Sequence, residues 1–442
     1  MQNILYLEIL GCVSDQGFSL DELVLKTKEL FEREGMAGFV SLILSLLDEK
    51  LALDLCQGLK SGQPSPCCAR PSYDSHGRRE RRLRTGVGEV KISWRRLRCK
   101  HCGRVVIPLR EFLGLEAYQS KSGELERTVT EVVSEQSYRR TSGELMRIGE
   151  IPIPKSTLHR WVAQTESDEL NWPRGVRYLL ADGTGYKRRP KAERELSNRG
   201  EVRVALGVDR QGRTVALGAW SGQSWEEIGQ ELNRNRGRRS RAELMVTDGE
   251  LGLAEALSDL ANGSQRCLWH AARDVKYALW KDEAAPEERE RGEKKLAGIL
   301  GVEVPAECVE PVREADRREV VQRIQSSERQ LDELAADFIA KGYLKAAHYV
   351  RQAKDHLFQR LRLWLRTGLV GPGTAGLIER MMREIGRRLK RIGFGWSESG
   401  AAKMARIIIK RFATAQQWEA YWLKKLRIVG NVILVYKGVH VK

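Results

Sequence analysis

The sequence predicts an α/β protein, and three observations carry that expectation. Short apolar runs with strand character gather between residues 176 and 269. Residues 282–365 are charged, helical in period and nearly free of strand signals. Two of the apolar runs end in aspartate: Val-Arg-Tyr-Leu-Leu-Ala-Asp182 and Glu-Leu-Met-Val-Thr-Asp248. At 442 residues the chain has room for about two to four domains.

Residues 1–60 read as an N-terminal helical segment, with apolar residues at helical spacing from Met36 to Leu53. Ser61–Pro66 is turn-rich and reads as a linker. Residues 61–112 form a basic, zinc-ribbon-like segment. Cys67 and Cys68 precede the run Arg78-Arg79-Glu80-Arg81-Arg82, Gly88–Trp94 alternates like a strand, and Arg95-Arg96-Leu-Arg leads into the knuckle Cys99-Lys-His-Cys102-Gly. Strands between two cysteine clusters suit zinc. Cys67 and Cys68 are adjacent rather than two apart, so His76 or another ligand could replace one of them, and a ribbon packed without metal is the alternative.

Residues 113–170 read as a helix-turn-helix unit: Glu124–Gln136, Thr141–Ile148, then Ser156–Gln164 with Ser156 as N-cap. In the third helix Leu158, Trp161 and Val162 would face inward. Thr157, His159 and Arg160 would be exposed, as a recognition helix requires.

Residues 171–281 give the order β-β-β-α-β-α-β-α. The strands are Tyr178–Asp182, Glu201–Val208, Arg213–Trp220, Leu244–Thr247 and Gln265–Trp269. The helices are Ser224–Asn233, Leu251–Leu260 and His270–Trp280. This is the order of a ribonuclease-H-like fold, in which the first and fourth strands lie side by side and open α/β sheets place their sites at the strand ends. Residues 282–367 read as an all-helical insertion. Residues 368–425 bring a Gly-rich loop, a helix bearing Glu379 and further helices, and residues 426–442 form a tail that is a strand or an appendage.

Asp182 and Asp248, each held at the end of a buried strand, and Glu379 from a helix could converge on a pair of Mg²⁺ or Mn²⁺ ions, the arrangement of phosphoryl-transfer chemistry. Each aspartate is followed by a glycine, Gly183 or Gly249, which would leave room beside the metals. Glu384 is the rival to Glu379 but sits among charges, and Glu398 reads as a helix start. Cys267 and His270 could ligate metal but more simply pack near the sheet.

Charge points the same way. The chain carries 76 Lys+Arg against 59 Asp+Glu, a net charge of +17, with a pI near 9.6. That surplus favours nucleic acid, and the helix-turn-helix reading makes double-stranded DNA the expected partner. The candidate DNA contacts are Arg78, Arg79, Arg81, Arg82, Arg95 and Arg96 in the ribbon and Thr157, His159 and Arg160 in the helix-turn-helix. No apolar run reaches the roughly 18 residues of a membrane span, no secretory signal is recognisable, and eight clustered cysteines suit metal in a reducing compartment. The expected location is the cytoplasm.

Over about residues 60–415 the chain resembles the Mutator-like superfamily of DDE transposases encoded by bacterial insertion sequences. The resemblance rests on Ala181-Asp182-Gly-Thr, Val246-Thr-Asp248-Gly, Cys267-x-x-His270, Gly376-Leu-Ile-Glu379 and Trp396-Ser-x-x-Gly-Ala. It implies Asp182, Asp248 and Glu379 as the metal-binding triad, cleavage and strand transfer at terminal inverted repeats, and action as a dimer or larger homo-oligomer on element ends and target DNA. Cys67-Cys68 departs from the Cys-x-x-Cys of that pattern. The rival readings are a non-transposing endonuclease of the same fold and a DNA-binding regulator with a decayed triad.

Overall fold

The computed structural model describes residues 3–6, 20–57, 67–68, 71–149, 151–165, 172–189, 199–250, 252–303, 306, 312–391, 395–413, 415–427 and 432–435. The linker expected at 61–66 lies outside them. The chain is mixed α/β and clusters into two compact units, Met1–Thr165 with Glu419–Lys442, and Glu166–Trp418. Among the described residues no helix is long and apolar enough to cross a membrane.

The first unit begins with strand β1 (Asn3–Tyr6), where a helix was expected. Helix α1 (Leu20–Cys56) kinks at Gly35, whose φ of 57° no helix interior accommodates. Strands β2 (Tyr73–Thr85) and β3 (Gly88–Cys99) make a long antiparallel hairpin, to which β4 (Val105–Val106) adds a third strand. Leu83, Val90, Ile92 and Trp94 point inward and pack with Leu51 of α1. On β3, Glu89, Lys91 and Ser93 alternate with Val90, Ile92 and Trp94 and fall on more open positions, as a half-buried strand dictates.

Helices α2 (Pro108–Phe112), α3 (Gly123–Glu135), α4 (Tyr138–Gly149) and α5 (Lys155–Gln164) follow. Leu158, Trp161 and Val162 of α5 are buried as expected. Its N-cap, however, is Pro154 rather than Ser156, with no side-chain capping bond. The fixed φ of proline starts the helix one residue before the serine.

The second unit is built on a five-stranded sheet of order β7-β6-β5-β8-β9. Its strands are β5 (Val176–Lys187), β6 (Arg199–Asp209), β7 (Thr214–Ser221), β8 (Leu244–Thr247) and β9 (Ser264–Arg266). β5 runs antiparallel to β6 and parallel to β8, so the first and fourth strands are neighbours. Leu179, Leu180 and Val246 are essentially inaccessible, each contributing about 1.5–3 kcal/mol by burial. These apolar residues pin the strand ends.

Helix α6 (Trp225–Arg236) begins at the expected cap, where Ser224 and Glu227 form a reciprocal capping box. The helix expected over 251–260 is instead α7 (Leu253–Ala256) and a 3₁₀ turn over Ser258–Leu260, because Gly252 enters in a left-handed conformation. The fifth strand is shorter than expected. Cys267 caps α8 (Leu268–Lys281), so Cys267 and His270 occupy the cap and first turn of a helix rather than a strand end.

Helices α9 (Pro286–Leu300), α10 (Glu314–Ala340), α11 (Leu344–Leu357) and α12 (Gln359–Thr367) pack with α8 around their own apolar core, as the helical reading of 282–365 anticipates. Buried Gln265 ties that core to the sheet, donating to the Leu357 carbonyl at 2.9 Å and accepting the Arg360 N–H at 3.0 Å. Helix α13 (Gly376–Leu389) returns to pack on β5, with Ile378, Met381, Ile385 and Leu389 buried. Helix α14 (Glu398–Ala413) packs on β7. Helix α15 (Ala415–Leu426) and strand β10 (Val432–Val435) follow, and β10 pairs parallel with β1.

Candidate active site

The last parallel pair between β5 and β8 is Ala181 opposite Thr247. Asp182 and Asp248 are the next residues of the two strands, so the sheet register itself sets them side by side. β5 does not end at Asp182, as its apolar run suggested. It continues to Lys187, paired with β6 alone, because the ladder with β6 needs no apolar side chains to persist.

Both aspartates are half-buried, and their backbone settings hold them in place. Asp182 Oδ1 accepts the N–H of Gly183 at 2.7 Å, and Asp248 Oδ1 accepts the N–H of Glu250 at 2.9 Å. Burial pushes the Asp182 carboxyl up to about 7, helped by the charges of Asp248, Glu379 and Glu250, while the Gly183 N–H pulls the other way. Carboxylates that raise one another's proton affinity are relieved by a divalent cation, the kind of ion that oxygen donors hold.

The two glycines serve neighbours rather than open space. A side chain at Gly183 would collide with Glu201, and one at Gly249, whose φ is 97°, would collide with the Arg266 guanidinium. Arg266 in turn donates to the Tyr349 hydroxyl at 2.8 Å.

Glu379 stands in the first turn of α13 and faces the first turn of α8. Its Oε1 lies 3.6 Å from His270 Nδ1, and neither atom has a hydrogen-bond partner. The Cys267 thiol accepts the N–H of Ala375 at 3.3 Å. Ligand atoms of Cys267, His270 and Glu379 lie within 4.8 Å of one another, one of two such groups among the described residues, and neither group includes Asp182 or Asp248. Burial, then the charge of Arg273, lowers the His270 pKa, so the ring is neutral at pH 7. Burial also pushes the Cys267 thiol up. Glu384 pairs with Arg387 at 2.8 Å, and Glu398 starts α14 and pairs with Arg188 at 3.0 Å.

A second arc of polar residues beside the aspartates escaped the sequence reading. Glu250 accepts Trp225 Nε1–H at 3.0 Å, and Arg203 lies 3.9 Å from Glu250 and 3.0 Å from Glu201. The Arg203 guanidinium also sits 5.3 Å from the Trp225 ring centroid. Burial pushes Glu250 up. Only the triplet Asp248-Gly-Glu250 hinted at this arc, and no spacing marks Glu201 or Arg203.

In the first unit Cys67, Cys68, Cys99 and Cys102 form the other group, and His76 is not in it. Sulfur separations are 4.0 Å (Cys67–Cys68), 3.7 Å (Cys68–Cys99) and 3.5 Å (Cys67–Cys102). A tetrahedron with zinc–sulfur bonds of about 2.3 Å has edges of roughly 3.8 Å, so four thiolates at these spacings fit Zn²⁺. Adjacency of Cys67 and Cys68 is therefore no obstacle. The Cys102 N–H leads in lowering the Cys99 thiol to about 6. For Cys67 the Tyr73 hydroxyl pulls down, but burial and the neighbouring thiols push the group up to about 12.

The expected DNA contacts divide by environment. Arg78, Arg79 and Arg82 are exposed on β2, with Arg82 3.4 Å from Glu89. Arg81 is half-buried, donates to the Glu116 carbonyl and lies 5.4 Å from the Trp94 ring centroid. Arg95 is held by Glu49 at 3.0 Å, with buried Asp48 at 3.9 Å, and Arg96 is half-buried. On α5, His159 and Arg160 are exposed and Thr157 half-exposed, with the His159 ring edge-on to Tyr138.

Residues 68–286 match the model of a transposase family. That family is the Mutator family of transposases, and over this segment the chain is Mutator-like. The match includes Asp182, Asp248, Cys267 and His270 and ends before Glu379. No curated protein matches the chain.

Proposed function

We propose that this transposase cuts and joins DNA strands at the terminal inverted repeats of a mobile element, with Asp182, Asp248 and Glu379 as the metal-binding trio. The carrying observation is the register of β5 and β8, which delivers Asp182 and Asp248 to adjacent places just past the pair Ala181–Thr247. The strand order and the helical stretch before Glu379 support a ribonuclease-H-like core over 171–281 with a helical insertion over 282–367. Mg²⁺ bound there would supply activation of the attacking water or 3′-hydroxyl and stabilisation of the leaving oxygen.

The chain's own residues do the rest. Backbone N–H groups of Gly183 and Glu250 fix the two carboxylates, and neutral His270 flanks Glu379. Zinc held by Cys67, Cys68, Cys99 and Cys102 would rigidify the ribbon of 61–112. That ribbon and the helix-turn-helix of 113–170 would read the element ends through exposed Arg78, Arg79, His159 and Arg160. Homo-oligomeric action on two DNA ends follows from the same reading.

The test is Mg²⁺-dependent nicking of an inverted-repeat duplex by Asp182→Asn and Asp248→Asn. Both should lose cleavage while binding the duplex within a few fold of the unaltered protein. Cleavage retained by either variant would move the active site elsewhere.

A further inference from the structure

Helix α8 buries one face and exposes another of unusual composition. Ala271, Ala272, Val275, Ala278 and Leu279 point into the helical core. Trp269, Arg273, Lys276, Tyr277 and Trp280, at positions i, i+4, i+7, i+8 and i+11, share the opposite face. The aromatic members are 51%, 60% and 61% exposed for Trp269, Tyr277 and Trp280. Leaving three large aromatic rings in water on one helix face forgoes burial that a globular core would use, so the face suits a partner.

Two observations identify that partner's chemistry. Cations interleave the rings: the Arg273 guanidinium, paired with Asp274 at 2.6 Å, sits 4.7 Å from the Trp269 centroid, and Lys276 is paired with Glu293. Arg289, whose Nε has no hydrogen-bond partner, lines the two grooves beside Trp280 together with Glu290 and Glu283. Those grooves measure about 620 and 470 Å³. The stripe also begins at the candidate active site, since Trp269 packs edge-on against His270 at 4.8 Å, and His270 faces Glu379. From Trp269 to Trp280 the helix rises about 16 Å, the length of roughly five stacked bases.

We propose that this face of α8 is a stacking platform for unpaired bases of the DNA strand beside the cleavage point. The proposal deepens the DNA-cutting reading above and rests on it. Aromatic faces accept any base, and Arg289 beside Trp280 is the cation left to meet a phosphate, so recognition would be of single-stranded character rather than sequence. Duplex DNA hides its base faces and gains little from exposed rings.

The experiment uses the full chain and compares a fluorescent twelve-nucleotide oligothymidylate, the same strand with abasic spacers, and an inverted-repeat duplex. Trp269→Ala and Trp280→Ala should each weaken oligothymidylate binding by at least about fivefold, the low end for loss of one base–aromatic stack. Binding of the abasic strand and the duplex should stay within about twofold. Trp269→Phe and Trp280→Phe should recover most of the loss, which also guards against misfolding. Unchanged oligothymidylate affinity in the alanine variants, with duplex binding intact in the unaltered protein, overturns the platform alone. Equal losses on all three probes overturn it in favour of a general charge or folding effect. Dissociation of an oligomer without a change in single-strand affinity assigns the face to a second copy of the chain instead. If the unaltered protein binds none of the probes, the DNA reading fails together with the platform.

Discussion

His270 Nδ1 and Glu379 Oε1 face each other at 3.6 Å across the first turns of α8 and α13. The carboxylate that the metal-binding reading needs thus rests against a neutral ring, in a group with Cys267 rather than with Asp182 and Asp248. Mutual repulsion of three carboxylates favours such a withdrawal, and the ring limits where Glu379 can swing.

If Glu379 completes the proposed metal-binding trio, the contact makes His270 its positioning residue. His270→Ala should lower cleavage by about 10- to 100-fold, the usual cost of losing a group that orients a metal ligand. Duplex affinity should stay within about twofold, and raising Mg²⁺ should restore part of the rate. A variant with unaltered cleavage at every Mg²⁺ concentration would leave the His270–Glu379 contact without a role.

How far the sequence carried depends on the kind of signal. Asp182 and Asp248 were legible because each terminates an apolar run, and burial of Leu180 and Val246 is what makes the run a strand. The cap of α6 was legible because Ser224 and Glu227 stand three apart in a local motif. Gly252 and Pro154 changed helix starts through backbone conformation, which side-chain periodicity does not encode. The arc of Glu250, Trp225, Arg203 and Glu201 joins residues from a loop, a helix and a strand. Only the fold brings those together, so no spacing announces them.

Asp182 makes stability depend on pH. Its carboxyl is raised from 3.8 to about 7 in the folded protein, so the folded state holds the proton more tightly than the unfolded chain. The resulting stabilisation is full below about pH 4 and is lost as pH rises through about 7. For metal-free protein the loss is on the order of a few kcal/mol, at about 1.4 kcal/mol for each tenfold gain in proton affinity. Asp182→Asn should therefore raise the melting temperature of metal-free protein at pH 8 and flatten its dependence on pH between 4 and 8. Thermal melts in chelator give the comparison, and parallel pH profiles for the two proteins would contradict the assignment. Mg²⁺ should close the gap by stabilising only the unaltered protein.

The four-cysteine group predicts one zinc ion per chain. Metal analysis of purified protein should find it, and Cys99→Ser should remove it, while Asp182→Asn should leave it in place. Strong chelation should lower the melting temperature of the first unit, since metal binding to such a site is folding free energy. A zinc-free protein with an unaltered melt would mean that Cys67, Cys68, Cys99 and Cys102 pack as thiols.

Gln265 links the sheet to the helical core through two buried bonds, to the Leu357 carbonyl and from the Arg360 N–H. Gln265→Leu has nearly the same bulk but leaves both backbone groups without partners. At about 1–3 kcal/mol for each unsatisfied buried group, the loss should amount to several kcal/mol in urea unfolding. Gln265→Glu should cost at least as much, because its carboxylate could still accept from Arg360 but would oppose the Leu357 carbonyl. A loss under about 1 kcal/mol in both would show that the junction relaxes.

Arg79 and Arg95 separate charge that is free from charge that is spoken for. Arg79 is exposed, whereas Arg95 is half-buried against Glu49 and Asp48. If β2 tracks phosphates, Arg79→Ala should weaken duplex binding uniformly across sequences and reduce the slope of log affinity against log salt by about 0.9. Arg95→Ala should leave that slope nearly unchanged and act on stability, because buried Asp48 keeps the Arg95 backbone N–H at 3.0 Å but loses the nearby cation. Affinities measured from about 50 to 200 mM salt decide between them. The opposite ranking would place the DNA on the α1 side of the hairpin, with the Glu49 pair opening to release Arg95.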